Sequence, residues 1–186
     1  GLVYSTRGEW ELAVIAYREA YSRLSDSGAA PFERIHVQAS VAWNLVRLKK
    51  YAQARSICGP IIERHEGIEL ADSTMADALA RHYDTVGRIS FLQENYEDAE
   101  QMYSQAKSLR KIGGNIALLA HSDGNLAGMA AMQGDWEEAA LAFQSVALLW
   151  NTLGDVKMVT IGNLNYSECM IELAERSCSE EEKSSY

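Results

Sequence analysis

The stretch GDWEEAALAFQSV, residues 134–146, indicates the fold of this chain because its pattern occurs four times. Each copy has a turn followed by an aromatic residue, and these aromatics are Trp10, Tyr51, Tyr96 and Trp136. They are separated by 41, 45 and 40 residues. Self-similarity at such a period is the mark of a repeat architecture, in which each repeat is one supersecondary unit. The sequence therefore predicts four copies of one structural unit.

Small and bulky residues stand at the same distances from the aromatic in each copy. An alanine follows three residues after it and a bulkier residue seven after it, so the positions trace one stripe of an α-helix. The packing residues are Trp10, Ala13 and Tyr17; Tyr51, Ala54 and Cys58; Tyr96, Ala99 and Tyr103; and Trp136, Ala139 and Phe143. Nine residues before each aromatic stands a small residue: Gly1, Ala42, Gly87 or Ala127. Each repeat is thus predicted to be a helix hairpin whose first helix packs closely on the second.

The same pattern gives the expected helices and domain limits. We expect helices at about 9–27, 32–48, 50–66, 70–93, 95–112, 115–133, 135–152 and 156–175, with residues 1–7 ending an earlier helix. Glycines at Gly28, Gly67, Gly113 and Gly154 are typical helix stops. Residues 1–176 form the expected repeat domain, with a partial fifth repeat from about 156. Residues 177–186, rich in serine and glutamate, are predicted to be a flexible acidic tail, and the incomplete repeats at both ends favour a fragment of a longer protein.

These residues resemble the tetratricopeptide repeat (TPR), which has a small residue in its first helix, a Gly-Asp-Tyr-like turn, and then alanine and a bulky aromatic in its second. The period here is longer than in that family, and Cys58 stands where an aromatic is usual. In this respect the chain is similar to the superhelical sensor domains of bacterial STAND-type regulators. The resemblance implies an all-α fold, a right-handed superhelix (solenoid) of antiparallel helix hairpins with about four repeats plus a terminal helix.

Composition excludes several classes of partner. The chain of 186 residues has 17 lysines and arginines against 26 acidic residues, a formal net charge of −9. Nucleic-acid affinity depends on cations that neutralise phosphates, so direct nucleic-acid binding is not expected. No apolar run is long enough for a membrane span, and no signal peptide is visible. Three widely spaced cysteines cannot all pair within the chain, which favours a reducing, cytoplasmic location.

We find no catalytic pattern in the sequence. Four single histidines, His36, His65, His82 and His121, have no HExxH motif and no cysteine at ligand spacing. Gly113-Gly114 lacks the lysine and hydroxyl residue of a phosphate-binding loop. We therefore expect no enzyme activity, no cofactor and no metal site.

The concave surface of a helical solenoid is its usual binding surface, and the first helices of the repeats line it. Counting from each aromatic, one face of these helices carries basic and aromatic residues at spacings of three and four. The candidate groove residues are His36, Ser40, Trp43, Arg47, Arg81, Asp84, Arg88, His121, Asn125, Asn163 and Tyr166. Arginines beside a tryptophan suit an acidic peptide or another carboxylate. The alternative is that Trp43 packs between helices and the arginines form exposed ion pairs.

The sequence thus predicts a non-catalytic recognition module that binds a peptide segment or effector for a larger regulatory protein, with a role in transcriptional regulation in the preferred context. The alternative function is a structural assembly module that self-associates through its end helices, because an uncapped repeat leaves an apolar face exposed.

Overall fold

A computed structural model describes residues 1–68 and 72–184, with side chains up to residue 179. In this part of the chain the secondary structure is all helical. The helices are α1 (Leu2–Arg7), α2 (Trp10–Asp26), α3 (Pro31–Arg47), α4 (Tyr51–His65), α5 (Ser73–Leu92), α6 (Tyr96–Gly113), α7 (Ile116–Gln133), α8 (Trp136–Thr152) and α9 (Val156–Ser184). The all-α prediction is confirmed. Residues 70 and 71, where the fourth helix was expected to start, lie outside the described residues.

The helices form two compact units, Gly1–Gly114 with α1 to α6 and Asn115–Tyr186 with α7 to α9. In the first unit, α3 packs against α2, α4 and α5, so one helix contacts both its own hairpin partner and the following hairpin. In the second unit, α8 packs against both α7 and α9. Among the described residues, no helix combines the length and apolar character needed to cross a membrane.

One backbone feature recurs before the second helix of each hairpin. The residue two before the helix start is left-handed at Gly8, Lys49, Glu94 and Gly134, with φ of 79°, 58°, 61° and 89°. Gly154 has the same conformation before α9, with φ 74°. A left-handed residue ends one helix and lets the next reverse direction. The turn is therefore one repeated structure, although two copies lack the glycine that suits it best.

The predicted packing stripe is buried. Ala13, Ala54, Ala99 and Ala139 are all completely inaccessible to solvent. Cys58, Tyr103 and Phe143 are also buried, whereas Tyr17 is only partly buried and packs against the first core cluster. The aromatics Trp10, Tyr51, Tyr96 and Trp136 that open the second helices are half-buried. Each stripe thus forms the inner face of its helix, as the 3.6-residue period requires.

The small residue of the first helix lies against the ring of the second. A Cβ built on Gly87 would lie 2.9 Å from Cε1 of Tyr103, and one on Gly1 would lie 2.6 Å from Cε1 of Tyr17. Real side chains do not approach so closely, so both positions need glycine. In both hairpins the residue nine before the aromatic contacts the residue seven after it, which is direct evidence that these two hairpins share one packing geometry.

The helix stop predicted at Gly113 is confirmed, because α6 ends at Gly113 and its C-cap Gly114 has the left-handed conformation, φ 67°. One helix end differs from the sequence prediction. Helix α9 was expected to end near residue 175 but continues to Ser184, because glutamate is a good helix former. The flexibility of the segment from Ser177 stays a prediction, and residues 185–186 lie outside the described residues.

Helix α9 contacts the turn between α7 and α8 through one arginine. The guanidinium of Arg176 stacks on the ring of Trp136, 5.7 Å from its centroid, and donates a hydrogen bond to the carbonyl of Gly134 at 3.2 Å. In the first unit, Arg47 of α3 stacks in the same way on Trp10 of α2 at 4.7 Å. A first helix thus binds the aromatic of the preceding second helix in both units, which fits α9 as the first helix of a further repeat.

The left-handed turn gives a stability prediction. The left-handed conformation destabilises the folded state by about 1–2 kcal/mol at a residue with a side chain. Glycine has no Cβ and avoids part of this cost. We expect Lys49→Gly to raise the free energy of unfolding by about 0.5–1 kcal/mol in urea denaturation followed by circular dichroism. The control Lys49→Ala also removes the lysine side chain but keeps the unfavourable φ, so it should give no such increase. Equal stabilities of the two variants would contradict the role assigned to the turn.

Candidate functional site

Helices α3 and α5 place most of the predicted basic and aromatic residues on neighbouring faces of the first unit. His36, Trp43 and Arg47 follow each other on α3, and Arg81 and Arg88 lie on α5. Trp43 is 40% exposed, His36, Arg47 and Arg81 are exposed, and Arg88 is half-buried. We call these five residues the basic lane. Trp43 thus presents part of its ring to solvent and packs with the rest.

One direct contact joins the two helices of the basic lane. Nη1 of Arg81 lies 2.9 Å from Nε2 of His36. Because arginine only donates, this histidine nitrogen accepts and the imidazole is neutral. Burial lowers the pKa of His36, and the positive charge of Arg81 lowers it further. The contact therefore uses one donor of Arg81 and adds no negative charge to the surface.

Two arginines of the basic lane are held by aromatic rings. The guanidinium of Arg47 lies over Trp10 at 4.7 Å, and that of Arg88 lies over Phe91 at 5.2 Å. Among the described residues, neither of these guanidiniums forms an ion pair. A stacked guanidinium keeps its N–H groups at its edge, where they can donate to a carboxylate. The alternative of exposed ion pairs thus does not hold for Arg47 and Arg88.

Two predicted groove residues of the first unit have internal partners. Asp84 forms an ion pair with Arg110 of α6, which is only 4% exposed. Ser40 is 9% exposed, and its hydroxyl donates to the carbonyl of His36 at 3.2 Å. Removing one partner of a buried ion pair lowers the free energy of unfolding by about 3–5 kcal/mol, so Asp84 stabilises the fold. The prediction that Asp84 and Ser40 are free to bind is therefore wrong.

The predicted residues of the second unit divide between a cavity, the surface and the core. His121 and Asn125 line a cavity of about 260 Å³. Asn163 is exposed on α9. Tyr166 packs against the core cluster that contains Phe143 and Cys169, so its proposed place on a free binding face is wrong.

A buried cysteine and histidine, which the sequence did not bring together, are in contact in the first unit. Nδ1 of His82 lies 3.3 Å from Sγ of Cys58, and its Nε2 lies 2.9 Å from the carbonyl of Ile35. A carbonyl only accepts, so Nε2 carries the proton, and Nδ1 accepts from the Cys58 thiol. Both side chains are completely buried. The pair joins α3, α4 and α5 at one point of the core.

The protonation states of this pair do not suit nucleophilic catalysis. Burial raises the pKa of the Cys58 thiol to about 12, against the opposing effect of Arg55. Burial lowers the pKa of His82 to about 4, although its hydrogen bond to Ile35 acts in the opposite direction. A reactive cysteine needs the thiolate, usually beside a protonated histidine. Here both groups are neutral near pH 7, and the pair acts as a hydrogen bond within the core.

The described residues contain no group of three or more histidine, cysteine, aspartate and glutamate side chains that could hold a metal ion. Arg110, Trp150 and the Cys58–His82 contact were not predicted from the sequence. Each is a pairing of residues on different helices, for which helix periodicity carries no signal.

The lowered pKa of His82 predicts a pH-dependent stability. In the unfolded chain this histidine takes up a proton as the pH falls below 6.5. In the folded chain it stays neutral until the pH reaches its lowered pKa of about 4. The free energy of unfolding should therefore fall by about 3 kcal/mol between these two values. His82→Gln should lose this part of the pH dependence in urea denaturation, and the control His65→Gln, at a half-buried histidine of the same unit, should keep it. An unchanged pH profile in His82→Gln would contradict the assignment.

Comparison with known proteins identifies no family for this chain. No family model matches the sequence, and no curated protein matches it at a significant level.

Proposed function

We propose that this chain is a non-catalytic recognition module that binds an acidic peptide segment through the basic lane. The observation that carries the proposal is a set of arginines held in place by aromatic rings, without ion pairs, in a chain of net charge −9. Most of the charge on the surface of such a chain is negative. A local group of arginines without ion pairs is therefore a surface that attracts a negatively charged partner, which the remaining surface would repel.

The proposed architecture is a TPR-like right-handed superhelix in which the first helices line a concave groove. Two features support it: the left-handed turn recurs before α2, α4, α6 and α8, and α3 contacts its own hairpin and the next. The long-period resemblance to bacterial STAND-type regulators supports a regulatory parent protein as the context. In this proposal the module contributes recognition and another part of the parent protein contributes the response.

The chemistry of the basic lane favours carboxylates over phosphates of nucleic acid as its ligand. Arginine binds a carboxylate through two parallel hydrogen bonds, which gives both affinity and orientation. Trp43 adds an exposed aromatic surface of the kind that anchors peptide side chains. Three arginines beside one tryptophan suit a short segment with alternating acidic and apolar residues. A nucleic-acid backbone would need a much larger basic surface than this acidic chain offers.

The binding test uses a fluorescent pool of peptides in which acidic and apolar residues alternate. We expect Arg47→Glu combined with Arg88→Glu to weaken binding in fluorescence anisotropy at least about tenfold, because it replaces two donors by like charges. Higher salt should also weaken binding of the unaltered protein. Circular dichroism should show unchanged helicity in the variant.

The control variant is Arg18→Glu combined with Arg64→Glu, two exposed arginines outside the basic lane. It changes the net charge equally and should bind as the unaltered protein does. A second control pool has glutamine and asparagine in place of the acidic residues and should bind at least about tenfold more weakly. Equal loss in both double variants, or equal binding of both pools, would overturn the proposed site.

Self-association is the second candidate function, and helix α9 provides the observation that favours it. Ile161, Leu164 and Ile171 are 40%, 59% and 57% exposed, and their spacings of three and seven place them on one side of the helix. Exposed apolar side chains of this kind mark association surfaces. Light scattering over a dilution series distinguishes the two candidates, because only assembly makes the mass depend on concentration.

A further inference from the structure

The cavity of the second unit lies among α7, α8 and α9 and has a volume of about 260 Å³. Its lining includes Phe143 and Trp150 from α8, and Met158 and Ile161 from α9. Ile161 is 40% exposed, so the cavity communicates with solvent. A cavity of about 150 Å³ lined by apolar side chains is known to hold a benzene molecule, so this one has room for a larger ring system.

A comparison with the preceding hairpin shows where a side chain is missing beside the cavity. Counted from Tyr96 in one hairpin and Trp136 in the other, Asp84 of α5 corresponds to Gly124 of α7, twelve residues before the aromatic. In the same way Arg110 of α6 corresponds to Trp150 of α8, fourteen residues after it. Asp84 and Arg110 form a buried ion pair. A Cβ built on Gly124 would meet only Cγ1 of Val146, at 3.9 Å, so nothing in the structure occupies that position. The missing side chain at Gly124 therefore leaves open a space that borders the cavity.

The lining residues define the chemistry of a ligand. The apolar walls carry two aromatic rings, and the ring of His121 meets that of Trp150 edge to face, with centroids 5.8 Å apart. The amides of Asn125 and Asn165 supply hydrogen-bond donors and acceptors. The lining residues include no aspartate, glutamate, lysine or arginine. His121 is the one titratable side chain of this lining, so a charged ligand would lose its hydration with little opposite charge in return, and the lining favours a neutral ligand.

The indole of Trp150 adds a second polar feature. Its Nε1 is buried and has no hydrogen-bond partner among the described residues, and the whole residue is 6% exposed. A buried donor without an acceptor is costly, and a ligand acceptor that reached this nitrogen would remove the cost. Small-molecule sites typically combine apolar walls with a few polar groups in this way.

We propose that this cavity binds a small neutral aromatic molecule of the size of phenol or indole that carries one hydrogen-bonding group. The site uses none of the residues of the basic lane, so it adds a ligand to the proposed peptide recognition and does not depend on it. The aromatic walls select a flat ring, the lack of charge selects a neutral molecule, and the two asparagines select a polar substituent.

Isothermal titration calorimetry with indole and 4-ethylphenol tests the site, with benzoate and cyclohexanol as charged and non-aromatic probes. We expect dissociation constants of about 0.1–1 mM for the two neutral aromatics, as ligands of this size typically reach. Benzoate and cyclohexanol should bind at least about tenfold more weakly. In proton–nitrogen correlation spectra, the indole signal of Trp150, assigned with Trp150→Phe, should shift on addition of indole.

Two glycines of the same helix supply a matched pair of variants. Gly124→Leu fills the cavity and should weaken indole binding at least about tenfold. Gly128→Leu is one turn further along α7, where an added Cβ meets no atom within 4 Å, and Gly128 does not line the cavity. It should therefore bind indole as the unaltered protein does. Leucine favours a helix over glycine, so both variants should fold.

Three results would overturn the proposal. The first is that neither neutral aromatic binds the unaltered protein at millimolar concentration. The second is that Gly124→Leu and Gly128→Leu bind indole equally. The third is that N-acetyltryptophanamide binds at least about tenfold more tightly than indole, because the cavity would then be a site for an aromatic side chain of a peptide and not for a free small molecule.

Discussion

Close packing of a small residue of the first helix against the second helix is the constraint on which the hairpins depend, and in two of them the small residue is a glycine under an aromatic ring. Gly87 lies under Tyr103, and Gly1 lies under Tyr17, at distances that exclude any side chain on the glycine. The contact draws two helices together and buries the alanine stripe of the second. On α5, Gly87 faces the hairpin core, and on α3 Ala42 takes the same place, so the residues of the basic lane lie on other sides of these two helices.

The polar groups of the first unit fall into two classes with different roles. Arg110 is buried and paired with Asp84, and His82 is buried and bonded to Cys58, so these groups hold α3 to α6 together. Arg47 and Arg88 stack on rings, and Arg88 also donates a hydrogen bond to Tyr103, which restricts their motion while their remaining N–H groups can donate to a ligand. Prior ordering of a side chain lowers the entropy cost of binding. The proposed binding surface thus uses Arg47 and Arg88, whereas the buried Arg110 pairs with Asp84 in the fold.

Much of the fold could be predicted from the sequence because helix hairpins are governed by local periodicity. The predicted helices from residue 9 onward agree with the structure within about three residues at the ends that it describes, except that α9 continues to Ser184 where an end near residue 175 was expected. The site was less predictable, because Ser40 and Asp84 have the spacing of surface residues but are engaged by a helix carbonyl and by α6. The cavity could not be predicted, since its lining combines Gly124 with a residue 26 positions away.

The most direct test of the repeat packing is the free energy of unfolding of Gly87→Ala, measured in a double-mutant cycle with Tyr103→Leu. The added methyl group would meet the Tyr103 ring at 2.9 Å, so we predict a loss of about 1–3 kcal/mol that largely disappears when the ring is removed. Gly128→Ala, with open space around its Cβ, should instead gain up to about 1 kcal/mol from helix propensity. If Gly87→Ala were as stabilising as Gly128→Ala, the glycine-on-ring contact would not hold the hairpin together, and the account would be wrong.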